Sequence, residues 1–276
     1  MALPVYVINL ARAPERLTSI GGQLDRLGIA WLRIDAIDRQ TIDADAACRE
    51  FGAERVSRDF PATLGDICCS LSHRRAWRML LESDAQAAIV LEDDAMLSPG
   101  FGALARSDLY GLMLRCQIGV LKLEHWPGPQ KSRRFPLGEP FGAITGLAGI
   151  NVFLMRSSFL GSCGYVISTE AVRTVLGRFP RMLVPVDHYL FGAAAGLGFD
   201  LVRPGFLDPA PVPHGVERFG SDIREGRAAQ GLESGPRTLG RVMRDYLARR
   251  REARDLRRGE AERVEMRFAG EGSEMR

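Results

Sequence analysis

Residues 86–94 read QAAIVLEDD, an apolar run that ends in three carboxylates. An uninterrupted run of this kind predicts a strand buried on both faces, which is typical of a sheet covered by helices on each side. We therefore predict a strand from Gln86 to Leu91, with Glu92, Asp93 and Asp94 at its carboxyl end. In open α/β sheets, ligands bind at that edge. This stretch thus indicates both a fold class and a first candidate site.

The sequence around this stretch alternates between strand and helix patterns, which predicts an α/β fold. Pro14 suits the first turn of a helix that should end at Gly28. Thr63 and Asp66 have the spacing of a capping box at the start of a long helix. Another helix should begin at Ser168, and helical character is also expected over residues 39–51. The remaining predicted strands are residues 5–10, 30–34, 118–123, 151–155 and 165–167.

Composition limits the class of protein. The 276 residues are 46% hydrophobic and 26% charged, as in soluble globular proteins, and 37 basic against 34 acidic residues give no reason to expect nucleic acid as a partner. Five scattered cysteines do not form the even framework of a disulfide-rich secreted protein, so we expect a cytoplasmic location. No uninterrupted apolar run reaches the roughly 18 residues of a membrane span.

Two parts of the chain differ from the rest. Residues 126–149 are rich in Gly, Pro and charge and are predicted to be a mobile loop region beside the site. Residues 226–276 form a basic tail, predicted to be a projecting helix or partly disordered, after a domain covering residues 1–225. Dense arginines in the tail favour contact with an anionic membrane surface, which would make the protein peripheral at the inner face of the membrane. A solvated helix with mixed charges is the alternative.

The three adjacent carboxylates favour a cation. Burial and mutual repulsion both oppose their ionisation unless a cation or hydrogen-bond donors compensate. Mg²⁺ and Mn²⁺ prefer oxygen ligands, and such a metal would neutralise a diphosphate leaving group. We expect Asp93 and Asp94 to hold this ion. An ordinary solvated acidic turn is the alternative interpretation.

Two further segments have polar residues at predicted strand ends or helix starts. Gly65 lies at the start of the long helix, where free backbone N–H groups and the helix dipole favour phosphate. Ser72 and His73 add polar groups nearby, with local hydrogen bonding as their alternative role. Asn9 is followed by Arg12 and Arg16, which could face a diphosphate or could be ordinary surface arginines. Cys69 and His73 share a helical face, but no second pair supports structural zinc. Neither Gly-x-Gly-x-x-Gly nor Gly-Lys-Ser follows the first strand, so dinucleotide-binding oxidoreductases and P-loop proteins lose their main support.

In this order, the segments resemble glycosyltransferase family 25, whose bacterial members build lipopolysaccharide or lipooligosaccharide and whose animal relatives galactosylate collagen. The resemblance extends over residues 3–223. Its four main blocks are Val7-Ile8-Asn9-Leu10 with Arg12 and Arg16, Gly65-Asp66-Ile67 through Ser72-His73, Leu91-Glu92-Asp93-Asp94-Ala95, and Cys163-Gly164-Tyr165-Val166-Ile167-Ser168. Pro185-Val186-Asp187 and Ser221-Asp222-Ile223 agree more weakly. Cys68 and Ile37-Asp38-Arg39 depart from the family pattern, which affects the expected donor contacts.

The resemblance implies a GT-A-like, Rossmann-type nucleotide-sugar-binding sheet with helices on both faces, and inverting transfer, usually of galactose from a UDP donor to a saccharide or glycolipid acceptor. Mn²⁺ or Mg²⁺ would lie at the acidic block. The candidate donor-binding residues are Asn9, Arg12, Arg16, Asp35, Gly65, Ser72, His73 and Glu92, the last toward the ribose or a metal-bound water.

An inverting transfer also needs a base for the acceptor hydroxyl. Asp187 is the first candidate, with a helix N-cap as its alternative role, and Glu124, at the end of a predicted strand, is the second. Two other functions compete with catalysis. One is a non-catalytic module that binds nucleotide sugars, and the other is a purely structural interaction protein.

Overall fold

The computed structural model describes residues 2–126, 135–144, 149–215, 218, 227 and 237–270. Most of the predicted loop region 126–149, the segment Ser221-Asp222-Ile223 and the domain boundary at residues 225 and 226 lie outside these ranges. The five cysteines are all unpaired, as their spacing predicts. No helix in these ranges is long and apolar enough to cross a membrane.

The first half of the chain follows the predicted alternation of strand and helix. Its elements, in chain order, are β1 (Val5–Asn9), α1 (Pro14–Arg26), β2 (Trp31–Asp35), α2 (Ala44–Phe51), α3 (Arg55–Asp59), α4 (Leu64–Leu81) and β3 (Ala87–Glu92). Helix α1 begins at the predicted proline, and Gly28 just after it has a φ of 63°, the left-handed conformation that favours glycine at a helix end.

The second half is less regular. Its described elements are α5 (Phe101–Arg106), α6 (Leu109–Arg115), β4 (Val120–Lys122), β5 (Glu124–His125), β6 (Leu137–Ala143), β7 (Asn151–Met155), β8 (Gly164–Ser168), α7 (Thr169–Arg178), α8 (Val186–Phe191), α9 (Gly198–Val202), β9 (Gly205–Asp208), β10 (Val212–Pro213), α10 (Leu239–Arg258) and β11 (Glu262–Arg263). Ser168 caps α7 by accepting a hydrogen bond from the Ala171 N–H, so the predicted helix start is confirmed.

One nine-stranded sheet organises the described chain, in the order β2-β1-β3-β8-β4-β9-β7-β6-β11. Strand β1 is parallel to both of its neighbours, and the register pairs Asn9 with Asp35 and Ile8 with Glu92. The carboxyl ends of these three strands therefore share one edge. Strand β8 runs antiparallel to β3, with Gly164 opposite Leu91, so β8 begins at that same edge.

Alternate residues of the central strands face two separate apolar layers, which confirms the α/β fold with helices on both faces. In β3, Ala88 and Val90 belong to the layer that contains α2, α4, α7 and α8. Ile89 and Leu91 belong to the opposite layer, formed with α1, α5 and α6. All four side chains have no exposed surface, as the uninterrupted apolar run predicts.

Helix α4 connects this core to the predicted site. Its capping box is confirmed: the Thr63 hydroxyl accepts from the Asp66 N–H at 3.2 Å, and the Asp66 carboxylate accepts from the Thr63 N–H at 2.8 Å. Trp77, fully buried further along the helix, fixes it against the sheet. The first turns of α4 are thereby held beside the carboxyl edge of β3.

Within the C-terminal segment, α10 packs against the rest of the described chain. Asp59 accepts a hydrogen bond from Arg244, and Ala248 and Asp255 of α10 are buried. After α10, β11 pairs with β6 at the sheet edge, and Val264 and Met266 enter the apolar core. The sequence has no apolar run of strand length here, so these contacts were not predicted.

Candidate functional site

A cleft lies over the carboxyl edge of β1 and β3, between the start of α4 and the start of α8. Most of the predicted site residues line it together: Arg12, Arg16, Gly65, Ser72, His73, Glu92, Asp93, Asp94 and Asp187. They come from four separate segments of the chain, and the sheet register explains why they meet. The other three predicted residues, Asn9, Asp35 and Glu124, are described with their neighbours below.

Glu92 is held by hydrogen bonds on the wall of the cleft. Its Oε1 accepts from the Ser162 hydroxyl at 2.7 Å and lies 3.2 Å from His73 Nε2. Tyr165 holds the other ring nitrogen of His73 at 2.8 Å and receives a hydrogen bond from Trp77. Burial works to raise the pKa of Glu92, but the hydrogen bond and charge of His73, helped by His214 and Ser162, outweigh it and lower that pKa to about 2.

Asp93 has a different environment. Asn9 donates to its Oδ2 at 2.8 Å, and Arg16 lies 3.6 Å from its Oδ1. Burial nevertheless raises the pKa of Asp93 to about 6, and the negative charges of Asp94 and Glu92 add to this against the opposing effect of Asn9 and Arg16. The protein's own groups therefore leave the ionised form of Asp93 under-compensated.

Asn9 is the positioning residue of this pair. Its amide nitrogen also donates to the Ala13 carbonyl at 3.0 Å, and its amide oxygen accepts from Arg33 Nε at 3.0 Å. It is 1% exposed and is not among the residues that line the cleft; its side chain contacts Asp93 instead.

Asp94 faces a second set of groups. The Cys163 thiol donates to its Oδ1 at 3.5 Å, and His214 Nε2 lies 3.7 Å from its Oδ2. Burial raises the pKa of Asp94, opposed by His214 and reinforced by Glu92. The backbone is fixed as well, because the Gly215 N–H donates to the Asp94 carbonyl at 2.9 Å.

Two groups of metal-ligating atoms occur among the described residues, each with its atoms within 4.8 Å of one another. One comprises Cys69, His73 and Glu92, and the other Asp94, Cys163 and His214. Asp93 belongs to neither, because its carboxylate turns to Asn9 and Arg16. Asp93 and Asp94, the expected metal ligands, are thus adjacent in the sequence, but their carboxylates point to different partners.

The start of α4 contributes polar groups that are already engaged. The Ser72 hydroxyl accepts from the Ile37 N–H at 2.8 Å and donates to the Cys68 carbonyl, so it fixes the loop after β2 on α4, as the local-bonding alternative predicts. Asp66 binds Arg227, whose Nε lies 2.9 Å from its Oδ1. Arg227 also lines the cleft and brings a guanidinium close to the helix start.

The two candidate bases differ. Asp187 lines the cleft in the first turn of α8, where Pro185 and not Asp187 is the N-cap residue, and its Oδ1 accepts from the His188 N–H at 2.8 Å. Glu124 is 1% exposed, and its Oε2 pairs with Lys122 at 2.9 Å and accepts from the Cys163 N–H at 3.0 Å. Of the two candidates, Asp187 lines the cleft and Glu124 does not.

The arginines and Asp35 occupy the outer part of this edge. Arg12 pairs with Asp38 at 2.9 Å beside the loop after β2, and both line the cleft. Asp35 pairs with Arg33 at 2.9 Å, but its side chain is 72% exposed and lies outside the cleft lining. The described structure therefore gives Asp35 no place in the cleft wall.

Sequence reasoning missed four residues of the site: Ser162, Cys163 as a neighbour of Asp94, His214 and Arg227. The antiparallel placement of β8 brings Ser162 and Cys163 to the acidic residues, and strand direction is not readable from a short apolar run. His214 gave a usable signal, since it is one of only four histidines and follows a short apolar segment. Arg227 could not be singled out among the many arginines of its region.

An α/β sheet with an acidic, arginine-flanked cleft at its carboxyl edge is the architecture of a ligand-binding α/β protein. The family model for glycosyltransferase family 25 (LPS biosynthesis protein) matches residues 2–190. The chain therefore belongs to glycosyltransferase family 25, which confirms the resemblance that the four blocks indicate.

The curated relatives include proteins named as glycosyltransferases and proteins named as inactive family members. A glycosyltransferase 25 family member of Anopheles gambiae is 28% identical over 194 residues, which are 67% of this chain and 31% of that protein. The lacto-N-neotetraose biosynthesis glycosyltransferase LgtB of Neisseria gonorrhoeae is 28% identical over 68% of this chain and 66% of its own length. The inactive glycosyltransferase 25 family member 3 of Mus musculus is 25% identical over 67% of this chain. The chain spans about a third of the length of its insect and mouse relatives.

Proposed function

We propose that this protein is a metal-dependent, inverting hexosyltransferase of the GT-A kind. It would move galactose from UDP-galactose to a saccharide or glycolipid acceptor in the synthesis of lipopolysaccharide or another cell-surface glycan. Membership of family 25 supports the transferase class, and the likeness to LgtB supports a saccharide acceptor.

The observation that carries the proposal is the charge balance of the acidic cluster. Asp93 and Asp94 are both buried, and the pKa of each is raised although Asn9, Arg16 and His214 lie beside them. Two buried carboxylates that their surroundings do not keep ionised are suited to a divalent cation, which would supply the missing positive charge.

The side chains around the cluster fit such an ion in part. Asp93 and Asp94 offer the carboxylate oxygens that Mn²⁺ and Mg²⁺ favour, and His214 adds its Nε2. The other ring nitrogen of His214, Nδ1, is buried and has no hydrogen bond in the described structure. When bound, the ion would neutralise the charge that develops on a departing diphosphate. Asn9 and Arg16 would orient Asp93, while the backbone around Gly215 fixes Asp94.

The residues around the cluster suggest how the donor would bind. Arg12 and Arg16, which follow β1, lie on the same cleft wall and would bind phosphate oxygens or the nucleotide. Gly65 and the start of α4 would face the donor, with Arg227 adding positive charge there. Glu92, which its surroundings keep ionised, would accept a hydrogen bond from the ribose or from a metal-bound water.

Asp187 is our candidate for the base that removes the proton of the acceptor hydroxyl. It lines the same cleft as the acidic cluster and belongs to a different wall, at the start of α8. Donor hydrolysis and transfer measured with a panel of UDP-sugars test the proposal. UDP-galactose should be the preferred donor, and Asp187→Asn should lower turnover by about 100-fold or more, the usual range for a lost general base. Wild-type turnover in folded Asp187→Asn would remove this residue from the mechanism.

A second candidate is a non-catalytic module that binds nucleotide sugars, favoured by the mammalian relatives that are named inactive. UDP with Mn²⁺ would stabilise the protein under either candidate function, by about 2.7 kcal/mol at a ligand concentration 100 times the Kd. Only the transferase would also release UDP from a UDP-sugar. If UDP stabilises the protein but UDP is released from none of the UDP-sugars, the non-catalytic module is favoured.

We also propose that α10 holds the protein on the inner, cytoplasmic face of an anionic membrane. One outer side of the helix carries large exposed apolar side chains at helical spacing: Leu239, Val242, Met243, Tyr246 and Leu247. Basic residues 249–251, 257 and 258 continue along the helix. Apolar insertion combined with arginine attraction to headgroups is the pattern of interfacial helices.

Vesicle flotation of the full chain tests this contact. The protein should float with vesicles that contain phosphatidylglycerol and remain below with phosphatidylcholine alone, and Met243→Asp with Leu247→Asp should abolish flotation. Leu114→Asp, which changes an exposed leucine on α6, is the matched control. Equal recovery of all variants in the soluble fraction would exclude this surface.

A further inference from the structure

We propose that Arg39 selects the nucleobase of the donor by donating a hydrogen bond to the carbonyl oxygen at position 4 of a uracil ring. The inference rests on the proposed function, because it concerns the nucleotide that would occupy the same cleft. It adds a specificity-determining residue from the loop after β2, a segment in which this chain departs from the family pattern.

Arg39 differs from the three other arginines that line the cleft. Arg12, Arg16 and Arg227 each lie within 3.6 Å of a carboxylate oxygen. The exposed side chain of Arg39 has neither an ion pair nor a hydrogen bond within the described part of the chain. Because a guanidinium has five N–H donors and no acceptor, Arg39 presents donors alone to a ligand in the cleft.

A hydrogen-bonded turn fixes the backbone of Arg39. The carboxylate of Asp38 accepts from the Gln40 N–H at 3.0 Å and from Arg12 Nε at 2.9 Å. The Asp38 carbonyl accepts from the Ile42 N–H at 3.0 Å, which closes the turn. A side chain on a fixed backbone loses less conformational entropy when it binds a ligand. The turn therefore makes Arg39 suited to a directional contact.

The sheet order places the loop after β2 at one end of the cleft. β2 is the edge strand, and β1 lies between it and β3. A spacing of about 4.8 Å between neighbouring strands puts the ends of β2 and β3 about 10 Å apart. With the diphosphate at the acidic cluster after β3, the ribose and base extend toward the end of β2. Position 4 lies opposite the ring nitrogen that carries the ribose, so it is the part of the nucleotide that reaches Arg39.

The surroundings of Arg39 suit a flat ring. Leu10 and Ile37 are half-buried and line the cleft beside it. Burial, reinforced by the charge of Asp38, raises the pKa of the Cys68 thiol to about 11, and the charge of Arg39 opposes this. The guanidinium is thus close enough to act on the first turns of α4. A ring between these groups would cover the apolar side chains with its face and present its edge to Arg39.

The chemistry at position 4 separates uracil from cytosine. Uracil carries a carbonyl oxygen there, which accepts hydrogen bonds, whereas cytosine carries an amino group, which donates them. A guanidinium only donates, so it bonds to uracil and meets a second donor in cytosine. A site built to hydrogen-bond one ligand rejects an analogue that leaves its polar group unpaired. Arg39 therefore favours uridine nucleotides over cytidine nucleotides.

Isothermal titration calorimetry of the full chain with UDP and with CDP, each in the presence of Mn²⁺, tests this selection. Wild type should bind UDP about 10–100-fold more tightly than CDP, the range for a hydrogen bond to a charged group. Arg39→Met keeps an unbranched side chain but has no donors. It should lose most of this preference through weaker UDP binding, while CDP affinity stays within about threefold.

Arg26→Met is the matched control, because Arg26 is an exposed arginine of α1 that does not line the cleft. It should leave both affinities unchanged. Thermal unfolding of each variant should match wild type, so that a change in affinity reports the contact with the ligand. Arg39→Gln provides a second variant, since an amide both donates and accepts and should also narrow the difference between UDP and CDP.

Three results would overturn the inference: wild type that binds UDP and CDP equally, an unchanged preference in Arg39→Met, or equal losses for both nucleotides, which would put Arg39 at the phosphates or the ribose. A wild type that binds UDP with Mn²⁺ but whose preference does not depend on Arg39 would end this inference alone and leave the proposed function standing. A wild type that binds neither nucleotide would contradict both.

Discussion

The buried ion pair of Lys122 and Glu124 gives the sharpest structural prediction. Lys122 has no exposed side-chain surface and Glu124 has 1%, and the Nζ to Oε2 distance is 2.9 Å. Lys122 also donates to the Gly161 carbonyl and lies over the rings of Phe159 and Phe191. The pair therefore supports the loop from which Ser162 and Cys163 reach the acidic cluster.

Replacing Lys122 with Met removes the ammonium and leaves the Glu124 carboxylate buried without it. Loss of one partner of a buried ion pair costs about 3–5 kcal/mol, because the remaining charge stays desolvated. For 276 residues, an unfolding entropy of about 2.1 cal/mol/K per residue converts this into a fall in Tm of about 5–9 °C. The double variant Lys122→Met with Glu124→Leu should recover most of the loss, since both charges of the pair are then removed together.

Urea and thermal unfolding of the single and double variants measure this coupling. Arg115→Met is the matched control, because Arg115 pairs with Asp108 at 3.4 Å with both side chains more than 60% exposed; it should cost at most about 1 kcal/mol. A loss in Lys122→Met no larger than in Arg115→Met would refute the reasoning. So would a double variant that is less stable than Lys122→Met.

Two further predictions concern other contacts. Asn9→Ala should weaken Mn²⁺-dependent UDP binding by about 10–100-fold, as the loss of groups that orient ligands does, and unchanged binding by calorimetry would show that Asp93 needs no support from Asn9. Asp59 accepts from Thr238 and Arg244, and the Thr238 hydrogen bond, opposed by burial and supported by Arg244, lowers the pKa of Asp59 from its usual 3.8. Because the folded-state pKa is the lower one, its contribution to stability is complete above about pH 4 and is lost as the pH falls through the folded value. Asp59→Asn should therefore cost about 1–3 kcal/mol at pH 7, the range for hydrogen bonds to a charged group, and distinctly less at pH 3; an equal cost at both pH values by urea unfolding would contradict this.

Much of the fold could be predicted because local signals agreed with the tertiary structure. The apolar run at 86–91 is a strand buried on both faces, and Pro14, Gly28, Thr63 and Ser168 lie at the helix ends where their chemistry places them. The parallel pairing of β1 with β2 and β3 then brings residues that are far apart in sequence to one edge.

The rest depended on contacts that leave no periodic pattern. β8 could not be recognised as antiparallel, so the approach of Cys163 to Asp94 was not predicted. Glu124 follows a predicted strand, as the candidate base was expected to, and no pattern in the sequence indicated that it would be buried beside Lys122. Residues 260–268 form too short and too polar a segment to predict a strand. They nevertheless pair with β6 at the edge of the sheet, and Arg267 donates a hydrogen bond to Asp208 at the end of β9.

The central claim is that the acidic cluster holds a cation during cleavage of a UDP-sugar, and UDP release from UDP-galactose as a function of metal tests it most directly. We predict release that requires added Mn²⁺, Mg²⁺ or Co²⁺, stops with EDTA, and falls by about 100-fold or more in folded Asp94→Asn, in line with the several kcal/mol that a metal contributes. Metal-independent release, or a wild-type rate in Asp94→Asn, would contradict the account.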